Sequence, residues 1–157
     1  MLLTTQITIK NGKCVMCENG IYAPIFGNSM MIINYEIERD MEDLEIKAGK
    51  KPRCDFVVIK EDDQKKKFLI YMIELKGNFT NKNGKTFNKI VQQIREKMNV
   101  SYGMLKKWNL PVFTNNNSSF IAVLYTENLN SIRNMLNKSL NKSVNFKFVF
   151  MESGDHL

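Results

Sequence analysis

Two apolar runs, CDFVVIK (Cys54–Lys60) and KFLIYMIELKG (Lys67–Gly77), stand on either side of the polar stretch EDDQKK. Both are short and rich in β-branched and aromatic residues, which predicts the two strands of a hairpin. With the tip near Gln64 and Lys65, Lys60 pairs with Leu69 and Ile59 with Ile70, and the same register carried further sets Asp55 opposite Glu74. The second strand reads as fully buried, yet it holds Glu74 and Lys76 two residues apart. Alternation puts these two on one face and Ile73, Leu75 and Gly77 on the other.

Around this hairpin the chain organises itself by period. TTQITIK, KCVMCE and IYAPIF are separated by Asn11-Gly12 and Asn19-Gly20, the strongest short-range hairpin signal, and predict an N-terminal β-meander. Ser29 caps an expected helix to about Glu45, with Met30, Ile33, Ile37, Met41 and Leu44 on one face. A helix from about Thr86 to Lys107 follows, carrying Phe87, Ile90, Val91, Ile94, Met98 and Leu105 on its apolar side. FIAVLYT is a strand, Leu129 to Leu140 a short amphipathic helix, and VNFKFVFM a last strand. Strands alternating with helices predict an α/β or α+β fold, a central mixed β-sheet flanked by helices. With no repeat or linker, residues 1–157 read as one domain.

The net charge of +7 and pI near 9.3 make a polyanion, most often nucleic acid, a natural partner. Three cysteines give no disulfide framework, MLLTTQITIK lacks the features of a signal peptide, and no apolar run is long enough to span a bilayer. A cytoplasmic protein without a membrane partner is the expectation. The only histidine, His156, stands next to the last residue, which argues against histidine-based hydrolases and histidine-metal nucleases. Cys14 and Cys17 have the spacing of half a zinc site, but a second pair is missing, and buried free thiols are the simpler reading. Gly84-Lys85-Thr86 resembles the end of a P-loop, but six residues separate Gly77 from Gly84 where that motif needs four.

Chemistry therefore concentrates on the hairpin. Directly opposed strand residues have Cβ atoms roughly 4.5–5.5 Å apart. Two carboxylates that close repel unless one is protonated or a cation lies between them. A divalent cation with oxygen ligands suits Asp55 and Glu74, and Mg²⁺ typically takes one or two carboxylates plus phosphate oxygens. Such a site polarises a phosphodiester and acidifies a bound water, with Lys76 beside it as orienting group or electrostatic clamp. The competing reading is a structural ion pair, Asp55–Lys76 or Glu74–Lys76, on a partly solvated sheet face.

These residues resemble the PD-(D/E)xK, or restriction-endonuclease-like, nuclease superfamily. Asp55 in PRCDFVVI and Glu74 and Lys76 in YMIELKGN match its motif, although the proline stands two residues before the aspartate. The resemblance implies a restriction-endonuclease-like core and Mg²⁺- or Mn²⁺-dependent cleavage, of DNA in preference to RNA. It also implies a supporting glutamine on the next helix, Gln93 or alternatively Gln92 in IVQQIREK, and an upstream metal-supporting acid, Glu36 or Glu38 in NYEIERD. The segment NFTNKNGKT before the glutamine helix is long for the family.

Lys50, Lys51 and Arg53 before the acids, and Lys82, Lys85, Lys89, Arg95 and Lys97 after them, are candidates for phosphate contacts. Trp108 reads as core or interface. A homodimer or a larger nuclease assembly stays open. Two further readings compete with the nuclease: a catalytically inactive nucleic-acid-binding module or complex subunit of the same fold, and a structural partner protein whose charge serves solubility.

Overall fold

The computed structural model describes residues 7–10, 13–18, 21–25, 29–34, 53–62, 64, 67–77, 79, 84–107, 118–140, 143, 145–155 and 157. Its elements run β1 (Ile7–Lys10), β2 (Lys13–Glu18), β3 (Ile21–Ile25), β4 (Ser29–Asn34), β5 (Phe56–Asp62), β6 (Lys67–Leu75), α1 (Gly84–Lys107), β7 (Ser118–Thr126), α2 (Leu129–Leu140) and β8 (Lys147–Glu152). The first three strands form the expected antiparallel meander. Lys10 pairs with Lys13 and Glu18 with Ile21, so two residues of sequence, Asn-Gly in each case, separate the paired strands. β3 lies against β6 and β7.

The main sheet has five strands in the order β4-β5-β6-β7-β8. β5 pairs antiparallel with both β4 and β6, and β6, β7 and β8 are parallel, so the sheet is mixed and the class α/β. The hairpin register is the one read from the sequence, with Lys60 opposite Leu69 and Ile59 opposite Ile70.

The expected helix from Ser29 is corrected over its first six residues. Ser29–Asn34 is β4, antiparallel to β5, with a register shift between Ser29 and Met31. SMMIIN is an apolar run of strand length, and such a run fits either period. Pairing decides: β4 covers the free edge that β5 would otherwise present. The shift makes Met30 the extra residue of a bulge. Residues 35–45 of that expected helix lie outside the described residues.

Both parallel connections cross in the same direction along the sheet, which places their helices on one face. Phe87, Val91, Ile94, Met98 and Leu105 of α1 and Leu129, Leu136 and Leu140 of α2 share one core cluster with Val57, Ile59, Ile70, Met72, Ala122 and Leu124 of the strands. Among the described residues both helices thus cover one face of the sheet. The other face gathers Phe56, Val58, Ile73, Leu75, Val123 and Tyr125, with Leu157 packed against them. There the Lys60 ammonium, held below the ordinary lysine value by burial, donates to the Leu157 carbonyl at 2.8 Å.

The entry to α2 is built from β8. The two oxygens of Glu152 accept the Asn128 and Leu129 amides at 2.9 and 2.7 Å, doing from a distance what an N-cap side chain does locally. The turn that follows closes between the Asp155 amide and the Glu152 carbonyl at 3.0 Å. Gly154, at φ 93°, fills the position of that turn that needs a left-handed backbone. Glu152→Ala is expected to cost about 1 kcal/mol of stability, read as a lowered denaturant midpoint; an unchanged midpoint would contradict this capping role.

Candidate functional site

The parallel strands β6, β7 and β8 end on the same side of the sheet where β5 begins. Asp55 precedes β5, Glu74 is the penultimate residue of β6, and both are almost fully buried, at 3% and 2% exposure. Binding groups in α/β sheets gather at such carboxyl ends.

The regular ladder stops at Phe56–Ile73. Beyond it the Asp55 amide donates to the Ile73 carbonyl, and the Leu75 amide donates to Asp55 Oδ2 at 2.8 Å. Asp55 therefore brackets Glu74, reaching the residue before it through the backbone and the residue after it through the carboxylate. This differs from the direct opposition expected of an unbroken register, because the carboxylate takes an edge amide that a backbone carbonyl would otherwise accept. The break also changes the facing of the preceding residue, and Cys54 joins the helix-side core beside Val57 and Ile59.

Glu74 points to the helix side. Lys97 of α1 meets it, with Nζ donating to Oε1 at 2.7 Å and 27% of the lysine side chain exposed. Burying a carboxylate is costly unless it is paired, and Lys97 supplies that pairing. One turn further along α1, Ser101 Oγ accepts the Cys54 amide at 2.8 Å and so fixes the turn into Asp55. Burial pushes the Cys54 thiol far up, with the Glu74 and Asp55 charges adding to the rise and the Ser101 contact opposing it. A thiol held protonated is a poor nucleophile. Ser101→Ala is expected to cost about 1–3 kcal/mol by stranding the buried Cys54 amide, measured as a fall in the denaturant midpoint. A midpoint equal to that of the wild type would overturn this role.

Lys76 is half-buried, and its amide continues the β6–β7 pairing by donating to the Tyr125 carbonyl at 2.9 Å. Alternation keeps it on the Glu74 side of the strand. Among the described residues Lys76 forms no ion pair. Neither of the expected structural pairs with Lys76 is therefore the one formed; the partner of Glu74 is Lys97. Thr126 Oγ1 donates to the Gly77 carbonyl at 3.0 Å and ties the exit of β6 to the end of β7.

The structure thus brings together Asp55, Glu74 and Lys76, with Arg53 half-buried just ahead of them. Gln93 sits on the exposed side of α1, one turn before Lys97 and on the same line of the helix; Gln92 is also exposed. Lys89 is exposed on α1. Arg95 turns inward, donating to the Ser139 carbonyl and, at 3.4 Å, to Gln92 Oε1, so it joins the two helices. Glu36, Glu38, Lys50, Lys51, Lys82, Trp108 and His156 lie outside the described residues, as does the Lys85 side chain. Cys14 and Cys17 are part of β2, and their side chains lie outside the described residues.

Ser101 was missed as a site residue, and Lys97, expected as a phosphate contact, instead pairs with Glu74. A lysine and a serine among the polar positions of an amphipathic helix look like solvated surface. The available signal was their i, i+4 spacing on the edge of the apolar stripe.

Among the described residues no cluster of three or more His, Cys, Asp or Glu side chains forms. Two hard oxygen donors at one strand end do fit a Mg²⁺ or Mn²⁺ that draws its other ligands from water and phosphate. A groove of about 520 Å³ lies at the opposite end of the sheet, where β7 and β8 begin, and is not part of this site. No helix among the described residues is long and apolar enough to cross a membrane. No family model, curated protein or solved structure matches the chain.

Proposed function

We propose that the chain is a divalent-metal-dependent nuclease of the PD-(D/E)xK kind, acting on DNA in preference to RNA. The observation that carries the reading is the burial of Asp55 and Glu74 side by side where β5 begins and β6 ends, with Lys76 next on the same strand. The strand order supports it. Three antiparallel strands, a helix and a parallel strand follow one another, with the acids on the second and third, as in a restriction-endonuclease-like core.

In this reading Asp55 and Glu74 hold the ion. A bound Mg²⁺ or Mn²⁺ supplies Lewis acidity toward the phosphate and a more acidic water. Asp55 is held to the edge of β6 by the Leu75 amide, and Glu74 is oriented by Lys97, so neither carboxylate needs to reorganise. Lys76 orients the attacking water and offsets the charge that builds on the phosphate.

One observation favours a second reading. Lys97 already neutralises Glu74 at 2.7 Å, as a non-catalytic nucleic-acid-binding module would require. The two separate in one experiment, in which purified protein is incubated with duplex, branched and single-stranded DNA and with RNA. The nuclease reading expects cleavage with Mg²⁺ or Mn²⁺ that EDTA abolishes. Salt-sensitive binding with no cleavage of any substrate would leave the binding module.

A further inference from the structure

The charge of this protein is distributed unevenly. α1 and α2 together carry eight lysines and arginines against one acid, Glu96, a surplus equal to the whole net charge of +7. The remaining fifteen basic and fifteen acidic residues cancel. Lys97 and Arg95 are turned inward, to Glu74 and to the Ser139 carbonyl. Lys89, Lys106, Lys107, Arg133 and Lys138 are exposed, and most of the exposed positions between them are asparagine or glutamine.

The two helices lie side by side on one face of the sheet, tied by Arg95, so their outward sides are continuous. Helix electrostatics explain part of the pattern. Lys106, Lys107 and Lys138 lie in last turns, where positive charge opposes the helix dipole. Lys89 and Arg133 do not fit that explanation, because they lie in the first halves of their helices. Neither helix has an acid in its first turn, where an acid would stabilise it. Lys89 and Arg133 are therefore not accounted for by the needs of the helices, and their placement favours an external anion.

The face continues into the groove at the starts of β7 and β8. Lys106 and Lys147 line it with Ser119 and Asn145, above Phe120 and Phe146. The Lys106 ammonium lies 5.4 Å from the Phe120 ring centre and 5.9 Å from that of Tyr102, so its position is held by the aromatic faces.

We infer that the outward face of α1 and α2, ending at this groove, is the surface along which the phosphate backbone of a nucleic-acid duplex lies. Lysine and arginine contact phosphates, and the interleaved amides donate hydrogen bonds to the same oxygens without reading sequence. The choice of nucleic acid as the polyanion rests on the proposed function; the surface itself rests on the charge pattern.

The test is binding of a short fluorescein-labelled DNA duplex to the full chain, titrated across a range of salt with EDTA present. Cleavage then plays no part, and failure here is distinct from failure of the nuclease reading. Lys89→Glu and Arg133→Glu are each expected to weaken binding about three- to tenfold and to flatten the log–log salt slope by about 0.9. Both should leave the melting temperature unchanged or raised, since an acid early in a helix is favourable. Lys67→Glu, an exposed lysine at the start of β6, makes the same change in net charge and is expected to alter affinity less than twofold. Equal losses in all three variants, or no loss in either helix variant, would overturn the inference. So would binding of phosphatidylserine vesicles with no binding of the duplex.

Discussion

Asp55→Asn and Glu74→Gln are each expected to lower metal-dependent phosphodiester cleavage by about a thousandfold or more. The size follows from what the carboxylates do. A metal ion at the scissile phosphate contributes several kcal/mol of transition-state stabilisation, and each 1.4 kcal/mol is about tenfold in rate. An amide of the same shape keeps the oxygen that accepts the Leu75 amide or the Lys97 ammonium, but it loses the charge that holds the ion. Lys76→Met should fall by about a hundred- to a thousandfold through loss of an electrostatic clamp. It should change stability by no more than about 0.5 kcal/mol, because Lys76 forms no ion pair among the described residues. Circular dichroism and melting of each variant separate lost chemistry from lost fold. Wild-type cleavage rates in Glu74→Gln would remove Glu74 from the site.

The second large effect is on stability. Lys97→Met leaves a carboxylate at 2% exposure without the ammonium that meets it at 2.7 Å. Breaking a fully buried pair from one side costs about 3–5 kcal/mol. With 27% of the Lys97 side chain exposed, water shares the pairing, and about 2–3 kcal/mol is expected. The double variant Lys97→Met/Glu74→Gln should recover most of that loss, since it removes the uncompensated charge together with its partner. Urea midpoints of the two single variants and the double variant measure the coupling. Additive losses would mean that the pair does not act as a unit. Lys76→Met and Lys97→Met thus separate two lysines near one glutamate, the first acting on rate with little change in stability and the second costing stability together with the placement of Glu74.

Much of this arrangement was legible in the residues. The β5–β6 hairpin announced itself because two apolar runs of strand length flank a polar tip, and the tip alone set the observed register. α1 and α2 followed from apolar residues at helical period over long enough spans to average out exceptions. β4 was misread because SMMIIN is apolar at every position, and a short run of that kind has no period; only its pairing with β5 identifies it. The neighbourhood of Asp55 and Glu74 was legible, but its detail was not. A side chain that replaces a backbone acceptor at the end of a ladder leaves no trace in a hydrophobic pattern. The pairing of Lys97 with Glu74 escaped for a related reason: a lysine on a helix is ordinarily solvated, which suited the expected phosphate contact, and only the fold brings the end of β6 beneath it.

The same separation of roles organises the molecule. The sheet end carries two buried acids and a lysine, the edge of β6 and the inner side of α1 hold Asp55 and Glu74 in place, and the outer sides of the helices carry exposed basic residues. The most direct measurement of the central proposal is titration of Mn²⁺ into the protein with a non-cleavable phosphorothioate duplex present, followed by electron paramagnetic resonance. The expected result is stoichiometric Mn²⁺ binding to the wild type that is lost in both Asp55→Asn and Glu74→Gln and retained in Arg133→Glu at saturating duplex. Mn²⁺ binding that survives both acid substitutions, or no Mn²⁺ binding by the wild type with duplex present, would contradict a metal site at Asp55 and Glu74.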